Sequence, residues 1–574
     1  MFVLFSLNCK AQNFELKLIG MNESETKSID SLNYTKNHLN LKSIQEEITL
    51  ASEKLSKEGY LENQFLEKIK LNDSAYYAKF SLGKKTKFIR IYIGKTNQIK
   101  RTNKEEIRLE NNSNEIKNLI DWKTEKDTLK IPFTEVESFL NKSIQKLEKK
   151  GYAFAKLKLE NFNRTNTFLI AELQFELGKA RALNSIVINY KNNEKKNSFP
   201  EGHLAQINRK YRNRVFNSNS VNGIYEDFEK FKFVSQLKYP EILFTRDTTK
   251  VYVYLNDKKS NTFDGFIGFT NNENNKVKLN GYLDVKLENT LKAGEQFTLY
   301  WKSNGNDQKT FSTGIEIPYL FKSPLGIKAQ INIFKQDSIF QNTKTEIDLG
   351  YYIDYNTRLF LGYQATESSD ILNTNTKTIS DYKNSFISTN LEYLKSDAQN
   401  SNFPVKSSLS ANFGIGKRTS NEFSKNAGTI KQGYVKIQAM HNFYLNTKNC
   451  VNINFHNYFL KSDTYVTNEL FRFGGINSIR GFAENIFQAN FMTAFQSEYR
   501  HIVSSNLYFH TILDYCYFQD QSLDYNQNLT GIGLGVGLNT KSGLLKFAFA
   551  NGNIKNQTIQ LSNTIIHINY VVRF

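Results

Sequence analysis

The feature that most constrains the fold is an alternation of apolar and polar side chains, two residues in period, that recurs through the last 313 residues. The final segment shows it most clearly, because one face carries Ile566, Ile568, Tyr570, Val572 and Phe574. Side chains on a strand point to opposite faces in turn, so each such segment has one apolar face and one mostly polar face. The pattern predicts β-strands with lipid on one side and a polar lumen on the other.

A second segment, Gly531–Leu538, alternates Ile, Leu and Val with glycine. Glycine at every second position removes one whole face of a strand, which predicts that something bulky lies against that face. Another run, Leu545–Ala550, alternates in the same way. Each of these runs is too short for a helical membrane span.

Composition narrows the fold class further. With 39% hydrophobic residues, a mean hydropathy of −0.52 and no apolar stretch near the roughly 20 residues of a membrane helix, a helical membrane protein is excluded. The 31 Tyr and 45 Phe suit aromatic girdles, and only six Pro suits long paired strands. With the terminal aromatic, these features predict an outer-membrane β-barrel. The last strand alone would fit a soluble sandwich equally well.

Sixteen candidate strands can be placed between residues 263 and 574, and we assign residues 259–574 to the barrel. The number is even, and the long connections, near 365–381, 416–429 and 462–488, follow odd-numbered strands. Outer-membrane barrels have short turns at one end and long loops at the other. Both ends of the barrel segment are therefore expected on the side of the short turns.

The net charge of +19 raises nucleic acid or anionic lipid as a partner. Lys and Asn are abundant throughout the chain rather than concentrated in one patch, which favours a generally basic, solvated surface. We therefore expect no nucleic-acid partner. Contact with anionic lipopolysaccharide headgroups stays open.

No residue pattern points to catalysis. The three Cys and seven His show no zinc-ligand spacing, and neither a nucleophile elbow nor a phosphate loop nor a nucleotide fingerprint occurs. Cys450 and Cys516 lie in predicted strands, where a small buried apolar role is usual. We expect no catalytic residue, no metal, no cofactor and no enzymatic activity.

The first twelve residues resemble the end of a secretory leader, with an apolar core over Phe2 to Leu7 and a small residue, Ala11, near a plausible cleavage point. The basic segment that usually precedes such a core is missing, so the leader is short or truncated. We interpret residues 1–12 as a signal peptide and expect export.

A threefold repeat lies between the leader and the barrel, at 13–85, 86–180 and 181–258. Each unit is predicted as a strand, helices and a strand hairpin. In the first two units the long helix ends on the same dipeptide, Gly59-Tyr60 and Gly151-Tyr152. The third unit is looser, and the strands that end it are placed over 242–255.

The sequence Phe473 to Phe482, FGGINSIRGF, is the most specific motif in the chain, an Arg-Gly-aromatic triplet preceded by a glycine pair. Its members are Gly474, Gly475, Arg480, Gly481 and Phe482. With this motif, the three repeats resemble POTRA domains, and residues 262–574 resemble the barrel of the BamA/TamA superfamily of outer-membrane assembly and translocation proteins. The combination of three such domains with this barrel is most similar to the TamA type.

The resemblance implies a fold and a site. It implies three α/β POTRA-like domains before a 16-stranded antiparallel transmembrane barrel, with the motif loop folded into the lumen. It also implies that Arg480 pairs with acidic residues on neighbouring strands, for which Glu498 and Asp514 are the matching candidates. A buried guanidinium needs such carboxylates, because an unpaired buried charge costs several kcal/mol. The alternative is that these three are ordinary lumen or loop charges.

One position departs from the family pattern. Where the family usually has a glycine two residues after the strand acid, this chain has Cys516. Local packing there is expected to differ.

The resemblance also implies insertion or translocation of unfolded outer-membrane or secreted client proteins in a Gram-negative outer membrane, with the repeats in the periplasm. A weakly paired seam, Phe263–Thr270 against Asn563–Phe574, would offer strand edges to clients, because open edges in lipid need partners. The repeats could receive clients, or a periplasmic or inner-membrane partner, by β-augmentation. Tyr570, Val572 and Phe574 should face outer-membrane lipid, with Phe574 marking the chain for insertion.

Two other functions stay open. A two-partner-secretion translocator shares the loop motif and the barrel, but typically carries two POTRA domains behind a plug helix. A passive porin or surface barrel would need neither the repeats nor the Arg480 constellation.

Overall fold

The computed structural model describes the residues in these ranges: 14–93, 97–102, 105–110, 128–165, 168–190, 199–271, 277–304, 308–373, 378–397, 400, 402–420, 428–540, 543–554 and 563–573. They form two compact units. One holds the first two modules up to Leu183 with the segment Asn213–Val221, and the other holds the rest of the third module and the barrel. The predicted signal peptide lies outside the described residues.

The first module packs two helices on a four-stranded sheet. Its elements are β1 (Phe14–Ile19), α1 (Glu23–Asp30), β2 (Asn37–His38), α2 (Leu41–Lys57), β3 (Gln64–Lys70) and β4 (Ala75–Ser81). The sheet order is β2-β1-β4-β3, with β1 parallel to β4. Alternation along β4 buries Tyr76, Ala78 and Phe80 against the apolar face of α2. Both helices begin at an asparagine whose side chain accepts a backbone N–H.

The second module repeats this plan. Its elements are β5 (Phe88–Tyr92), β6 (Asn97–Thr102), β7 (Glu105–Glu110), β8 (Thr128–Pro132), α3 (Val136–Lys149), β9 (Lys156–Arg164) and β10 (Phe168–Glu176). The main sheet has the order β8-β5-β10-β9, with β5 parallel to β10, and β6 and β7 form a separate hairpin.

The third module contains β11 (Ser185–Tyr190), α4 (Glu201–Tyr211), α5 (Ser218–Glu229), β12 (Val234–Gln236), β13 (Glu241–Phe244) and β14 (Thr249–Asp257). Strand β11 is parallel to β14, as in the other two modules, and β12 and β13 pair antiparallel with β14. Strands β13 and β14 form the strand hairpin that was predicted to end each unit, and its tight turn at Thr245–Thr248 is closed by hydrogen bonds between these two threonines. Among the described residues, no helix of any module is long and apolar enough to cross a membrane.

The Gly-Tyr dipeptide of the first two modules ends the long helix and also holds the chain that enters the next module. Gly59 and Gly151 have φ values of 101° and 99°, and the N–H of the following tyrosine closes the last helical turn. The carbonyl of Gly59 then accepts from the N–H of Thr86 at 2.9 Å, and that of Gly151 accepts from Arg181 at 2.8 Å. The same local motif therefore anchors two successive linkers.

The barrel is closed and consists of sixteen strands in antiparallel pairs, as predicted. The strands are β15 (Thr262–Asn271), β16 (Val277–Glu288), β17 (Gln296–Asn304), β18 (Gln308–Ile317), β19 (Leu325–Gln336), β20 (Phe340–Tyr352), β21 (Thr357–Asp370), β22 (Tyr382–Ser396), β23 (Val405–Ser420), β24 (Gly428–Tyr444), β25 (Asn449–Lys461), β28 (Phe491–Ser504), β29 (Leu507–Asp520), β30 (Tyr525–Asn539), β31 (Gly543–Ile554) and β32 (Thr564–Arg573). Two short strands, β26 (Phe471–Phe473) and β27 (Phe487–Ala489), pair with each other in the loop between β25 and β28.

Strand β29 shows how the alternation builds the wall. Phe509 and Leu513 point outward and are 52% and 59% exposed, whereas Ile512 and Asp514 point inward and are 2% and 1% exposed. An apolar outer face with polar groups inside is the arrangement of a transmembrane barrel. The predicted fold class, three α/β POTRA-like modules followed by a 16-stranded transmembrane barrel, is confirmed.

Candidate functional site: an arginine loop inside the barrel

The loop that joins β25 to β28 runs from 462 to 490 and carries the FGGINSIRGF segment. A short 3-10 turn at Thr467–Glu469 and the β26–β27 pair give the loop its own local structure. Arg480 lies at its tip and is 3% exposed. Because its partners are inward-facing strand residues, the tip lies within the barrel.

Arg480 makes a bidentate contact with Asp514 of β29. Its Nε donates to Oδ2 at 2.8 Å and its Nη2 to Oδ1 at 2.5 Å, while the backbone N–H of Arg480 also donates to Oδ2 at 3.0 Å. The remaining guanidinium nitrogen, Nη1, donates to Glu498 of β28. Charge-assisted bidentate pairs of this kind fix orientation as well as adding stability. The structure thus brings together the three residues named from the sequence.

Glu498 is shared with a second arginine that the sequence did not single out. Arg500 donates through Nε to Glu498 Oε2 at 2.7 Å, and through Nη1 to the side-chain oxygen of Asn442 at 3.0 Å. Two arginines and two carboxylates, with side chains at most 12% exposed, therefore form one balanced group. Such a group holds its members firmly while all are present, and loses that balance when one is removed.

The glycine face of β30 accommodates the loop, as the alternation predicted. A Cβ on Gly531 would collide with the carbonyl oxygen of Arg480, and one on Gly552 of β31 would collide with the carbonyl oxygen of Gly481. Further along β30, Gly537 makes room for the ring of Tyr508. The loop backbone therefore lies directly on the wall formed by β30 and β31.

The other motif residues shape the tip. Gly474, Gly475 and Gly481 have φ values of 126°, 85° and 87°, which favour glycine. Phe482 is buried against Phe487 in an apolar cluster. That cluster consists of Phe473, Ile479, Phe482, Ala489, Met492, Ala494, Cys516, Phe518 and Leu529. Cys516 is fully buried in it, so the thiol acts there as a small apolar group.

A second buried ion pair ties the base of the loop to the wall, and sequence reasoning missed it. Arg418 of β23, with no exposed surface, donates to Glu469 of the 3-10 turn, and its Nη2 donates to the hydroxyl of Thr464 at 2.7 Å. Gln432 donates to the other oxygen of Glu469 at 2.9 Å. No motif marks Arg418 in the sequence, where it follows a lysine in a strand of mixed polarity.

The loop also reaches strands near the start of the barrel. Glu484 forms an ion pair with Lys302 of β17, and the carbonyl of Asn485 accepts from Gln308 of β18 at 3.4 Å. The tip contacts β29, β30 and β31, so the loop lies across the inside of the junction where β15 meets β32. We call these contacts the strap: Arg480 with Asp514 on the C-terminal side of the junction, and Glu484 with Lys302 on the N-terminal side.

The junction itself is sparsely paired. Among the described residues, β15 pairs with β32 only at Thr262↔Arg573 and Phe263↔Val572, whereas β15 pairs with β16 along its whole length. Strand β32 likewise pairs with β31 over most of its length. The two strands that close the barrel therefore form its most weakly paired interface.

The prediction that Tyr570, Val572 and Phe574 face lipid falls partly outside the described residues. Tyr570 and Val572 lie on β32, where the backbone alone is described, and Phe574 lies outside the described residues. Two preceding residues of the same parity, Ile566 and Ile568, are 57% and 60% exposed and point outward. That orientation is the one predicted for this face.

A cavity of about 680 Å³ lies beside Arg480 in the barrel interior and is lined by polar groups that include Arg500, His510 and Lys546. No group of three potential metal ligands occurs in the part of the chain that the structure describes. The groups that line the cavity offer fixed charge and hydrogen bonds.

Several solved structures are similar to this chain. CdiB from Acinetobacter baumannii is 14% identical, with a TM-score of 0.51, over 85% of this chain and 90% of that one. CdiB from Escherichia coli is 12% identical, with a TM-score of 0.50, over 92% and 97%. BamA from Haemophilus ducreyi lacking POTRA domains 1–3 is 15% identical, with a TM-score of 0.46, over 84% of this chain and 99% of that one.

No protein-family model and no curated protein matches the sequence. At the identities found, likeness in structure establishes the fold alone. The resemblance inferred from the sequence is confirmed at that level.

Proposed function

We propose, from the fold that this chain shares with BamA/TamA-type proteins of the Omp85 superfamily, that it inserts or translocates other proteins at the outer membrane of a Gram-negative bacterium. The modules would lie in the periplasm. The process would need neither a catalytic group nor a nucleotide. The observation that carries the proposal is the sparse β15–β32 junction with the strap behind it.

The junction supplies the physical basis. Unpaired backbone N–H and C=O groups in lipid cost several kcal/mol each unless they find partners. Most of β15 and β32 is unpaired with the opposite strand of the junction. A client strand that adds to either edge would satisfy those groups, so the junction favours strand addition.

The strap connects the loop to this junction. Opening the barrel between β15 and β32 separates β17 from β31, and these are two of the strands that the loop contacts. The Glu484–Lys302 pair would then have to break or move, whereas the Arg480–Asp514 contact could stay. We infer that Arg480 fixes the loop to the C-terminal side and that Glu484 acts as the releasable end.

The first module offers a surface for a partner. Strand β3 is the edge of its sheet, and all seven of its residues are exposed, including Phe65, Leu66 and Ile69. An exposed edge with apolar side chains suits β-augmentation by an extended segment. A client or an inner-membrane partner would bind there.

The test is to lock the junction. In cells depleted of the native protein, the chain carrying Phe263→Cys and Val572→Cys is expressed, since these residues are directly opposite each other. The matched control carries Ala365→Cys and Ser385→Cys, which are opposite each other in the fully paired β21–β22 interface. We expect the first disulfide, but not the second, to deplete barrel proteins from the outer-membrane proteome until reductant is added.

The outcome also separates the other functions. The likeness to the two CdiB structures is compatible with a two-partner-secretion translocator, whereas the three modules favour the TamA type. Loss of one secreted protein from the medium, with an unchanged outer-membrane proteome, would identify a translocator. If neither the outer-membrane proteome nor the proteins in the medium changed, the result would indicate a passive barrel.

A further inference from the structure

We propose that the region where the third module contacts the barrel binds the headgroup of an anionic phospholipid. The headgroup would be held by the C-terminal end of α4 and by the β18–β19 and β20–β21 turns. The inference rests on the barrel lying in a membrane, which belongs to the proposed function. It adds a ligand class and a site that client insertion does not require.

Helix α4 is fixed to the β18–β19 turn. Gln206 donates to the carbonyl of Lys322 at 2.7 Å, and the Lys322 ammonium lies 2.7 Å from Glu201. A Cβ on Gly202 would lie 2.9 Å from Cβ of Tyr319, so helix and turn are in direct contact. The basic end of the helix is therefore held at one end of the barrel wall.

The turn presents an aromatic ring outward. Phe321 is 99% exposed, and it shares a left-handed backbone with Tyr319 and Lys322, at φ values of 54°, 54° and 60°. Bulky residues rarely adopt this conformation, and where they do the surrounding structure holds them. Aromatic residues at a barrel end lie at the level of lipid headgroups.

A cavity of about 230 Å³ opens between the helix and the turns. Its lining includes three basic residues, Arg209, Lys210 and Lys230, and also Tyr351 and Ile353. Tyr351 and Ile353 continue the outward row of β20, with exposures of 50% and 64%. The mouth of the cavity is thus continuous with the lipid-facing surface, as a headgroup site must be.

The cavity lining carries three basic side chains and two carboxylates, Asp227 and Asp354, so one positive charge is left over for an anion. Asp227 accepts from both Lys210 and Lys230 at 2.8 Å, so these two lysines are already paired. Among the described residues, no ion pair involves Arg209, which leaves its guanidinium for a phosphate. His203 also lines the cavity and is 1% exposed, and neither ring nitrogen has a hydrogen-bond partner among the described residues. A headgroup oxygen would supply one.

The first test uses the full chain in detergent, with dihexanoyl phosphatidylglycerol, dihexanoyl phosphatidylcholine or inorganic phosphate, measured by native mass spectrometry. We expect phosphatidylglycerol to bind at least fivefold more tightly than phosphatidylcholine. Arg209→Glu, a change of two charges, should weaken phosphatidylglycerol binding by roughly 25-fold, at about fivefold per charge. Arg246→Glu, the same change on the exposed β13–β14 turn of the same module, should have no effect.

Equal binding of the two lipids, or an unchanged affinity in Arg209→Glu, would overturn the proposal. Binding of inorganic phosphate as tight as that of phosphatidylglycerol would show a site for a free anion and would overturn it as well. None of these readouts involves a client, so failure here and failure of the insertion proposal are distinguishable.

The second test does not depend on the folding of an Arg209 variant. Phe321→Trp and Phe162→Trp, the latter an exposed aromatic on β9, are reconstituted in nanodiscs containing phosphatidylglycerol with a nitroxide on its headgroup. Both proteins share the two native tryptophans as background. At least twofold stronger quenching of Phe321→Trp is expected, and equal quenching would overturn the membrane contact.

Discussion

At the scale of single residues, the loop is held in the barrel mainly by paired charges. Arg480 and Asp514 are buried and the side chain of Glu498 is 12% exposed, and a lone buried charge would cost several kcal/mol. Apolar packing of Phe482 adds to this hold, but the packed ring cannot replace a carboxylate partner. Removing the guanidinium should therefore release the tip while the sixteen paired strands stay.

Arg480→Ala should impair client assembly more than it reduces the amount of folded barrel, because loop docking loses about 3–5 kcal/mol when one buried partner is removed. Folded barrel and assembled clients are quantified in the same membrane fractions. Arg472→Ala is the control, since Arg472 lies in the same loop and forms no ion pair among the described residues. Normal client assembly in Arg480→Ala would contradict the role given to the loop.

A single methyl group should also displace the loop. Gly531→Ala places a Cβ against the carbonyl of Arg480, and overpacking of this kind costs about 1–3 kcal/mol. Gly433→Ala is its control, because the nearest atom to that Cβ, on β24, lies 3.6 Å away. Protease cleavage within 462–490 should rise in the first variant only. Equal cleavage in both would show that the loop does not lie on β30.

At the scale of elements, α4 packs on the barrel turns around a histidine that carries no charge. His203 lies among the rings of Phe231, Tyr319 and Tyr355, and burial lowers its pKa to about 3. In an unfolded or undocked chain the pKa returns to about 6.5. Between these two values the undocked state binds more protons, so docking is strongest above pH 6.5 and weakens as the pH falls.

Between pH 7.5 and 5.0, docking of the third module should weaken by about 2 kcal/mol, at roughly 1.4 kcal/mol for each pH unit below 6.5. The measure is the rate of limited proteolysis between the third module and β15. His203→Leu should remove this pH dependence, whereas His501→Leu, at an exposed histidine, should retain it. The same slope in all three proteins would exclude His203 as its source.

Features that are determined by residues close together in the chain could be predicted from the sequence. Features that depend on contacts between distant segments could not. Alternation identified the sixteen strands, and the motif identified Arg480, since both are patterns within one segment. The hairpin that ends the third module could be placed only as one range, 242–255, because threonine hydroxyls form its turn at Thr245–Thr248 without Gly or Pro. Arg418, which pairs with Glu469 across the loop, was missed because a lone arginine in a polar strand has the same local pattern whether it is paired or free.

At the scale of the whole molecule, the C-terminal strand bears on how this barrel is itself inserted into the membrane. The outward row of β32 was predicted to end in Phe574, and the described part of that row is apolar and exposed at Ile566 and Ile568. One interfacial aromatic adds little to stability. An effect of the last residue should therefore be kinetic.

Deletion of Phe574 should leave the protein in the periplasm or degraded, because an assembly machinery that recognises a terminal aromatic would no longer engage it. Phe574→Tyr should restore insertion. Heat-modifiable gel mobility of membrane fractions compares the three proteins. A normal folded barrel in the deletion would refute the targeting role.

The Gly-Tyr anchors bear on how such a chain can change length over evolution. Each of the first two modules brings its own connector, since the carbonyl of Gly59 or Gly151 binds the incoming linker through a backbone hydrogen bond. A module that carries the acceptor for the next linker can be copied together with that acceptor. One duplication or deletion could thus lengthen or shorten the array by a whole module while keeping this backbone anchor.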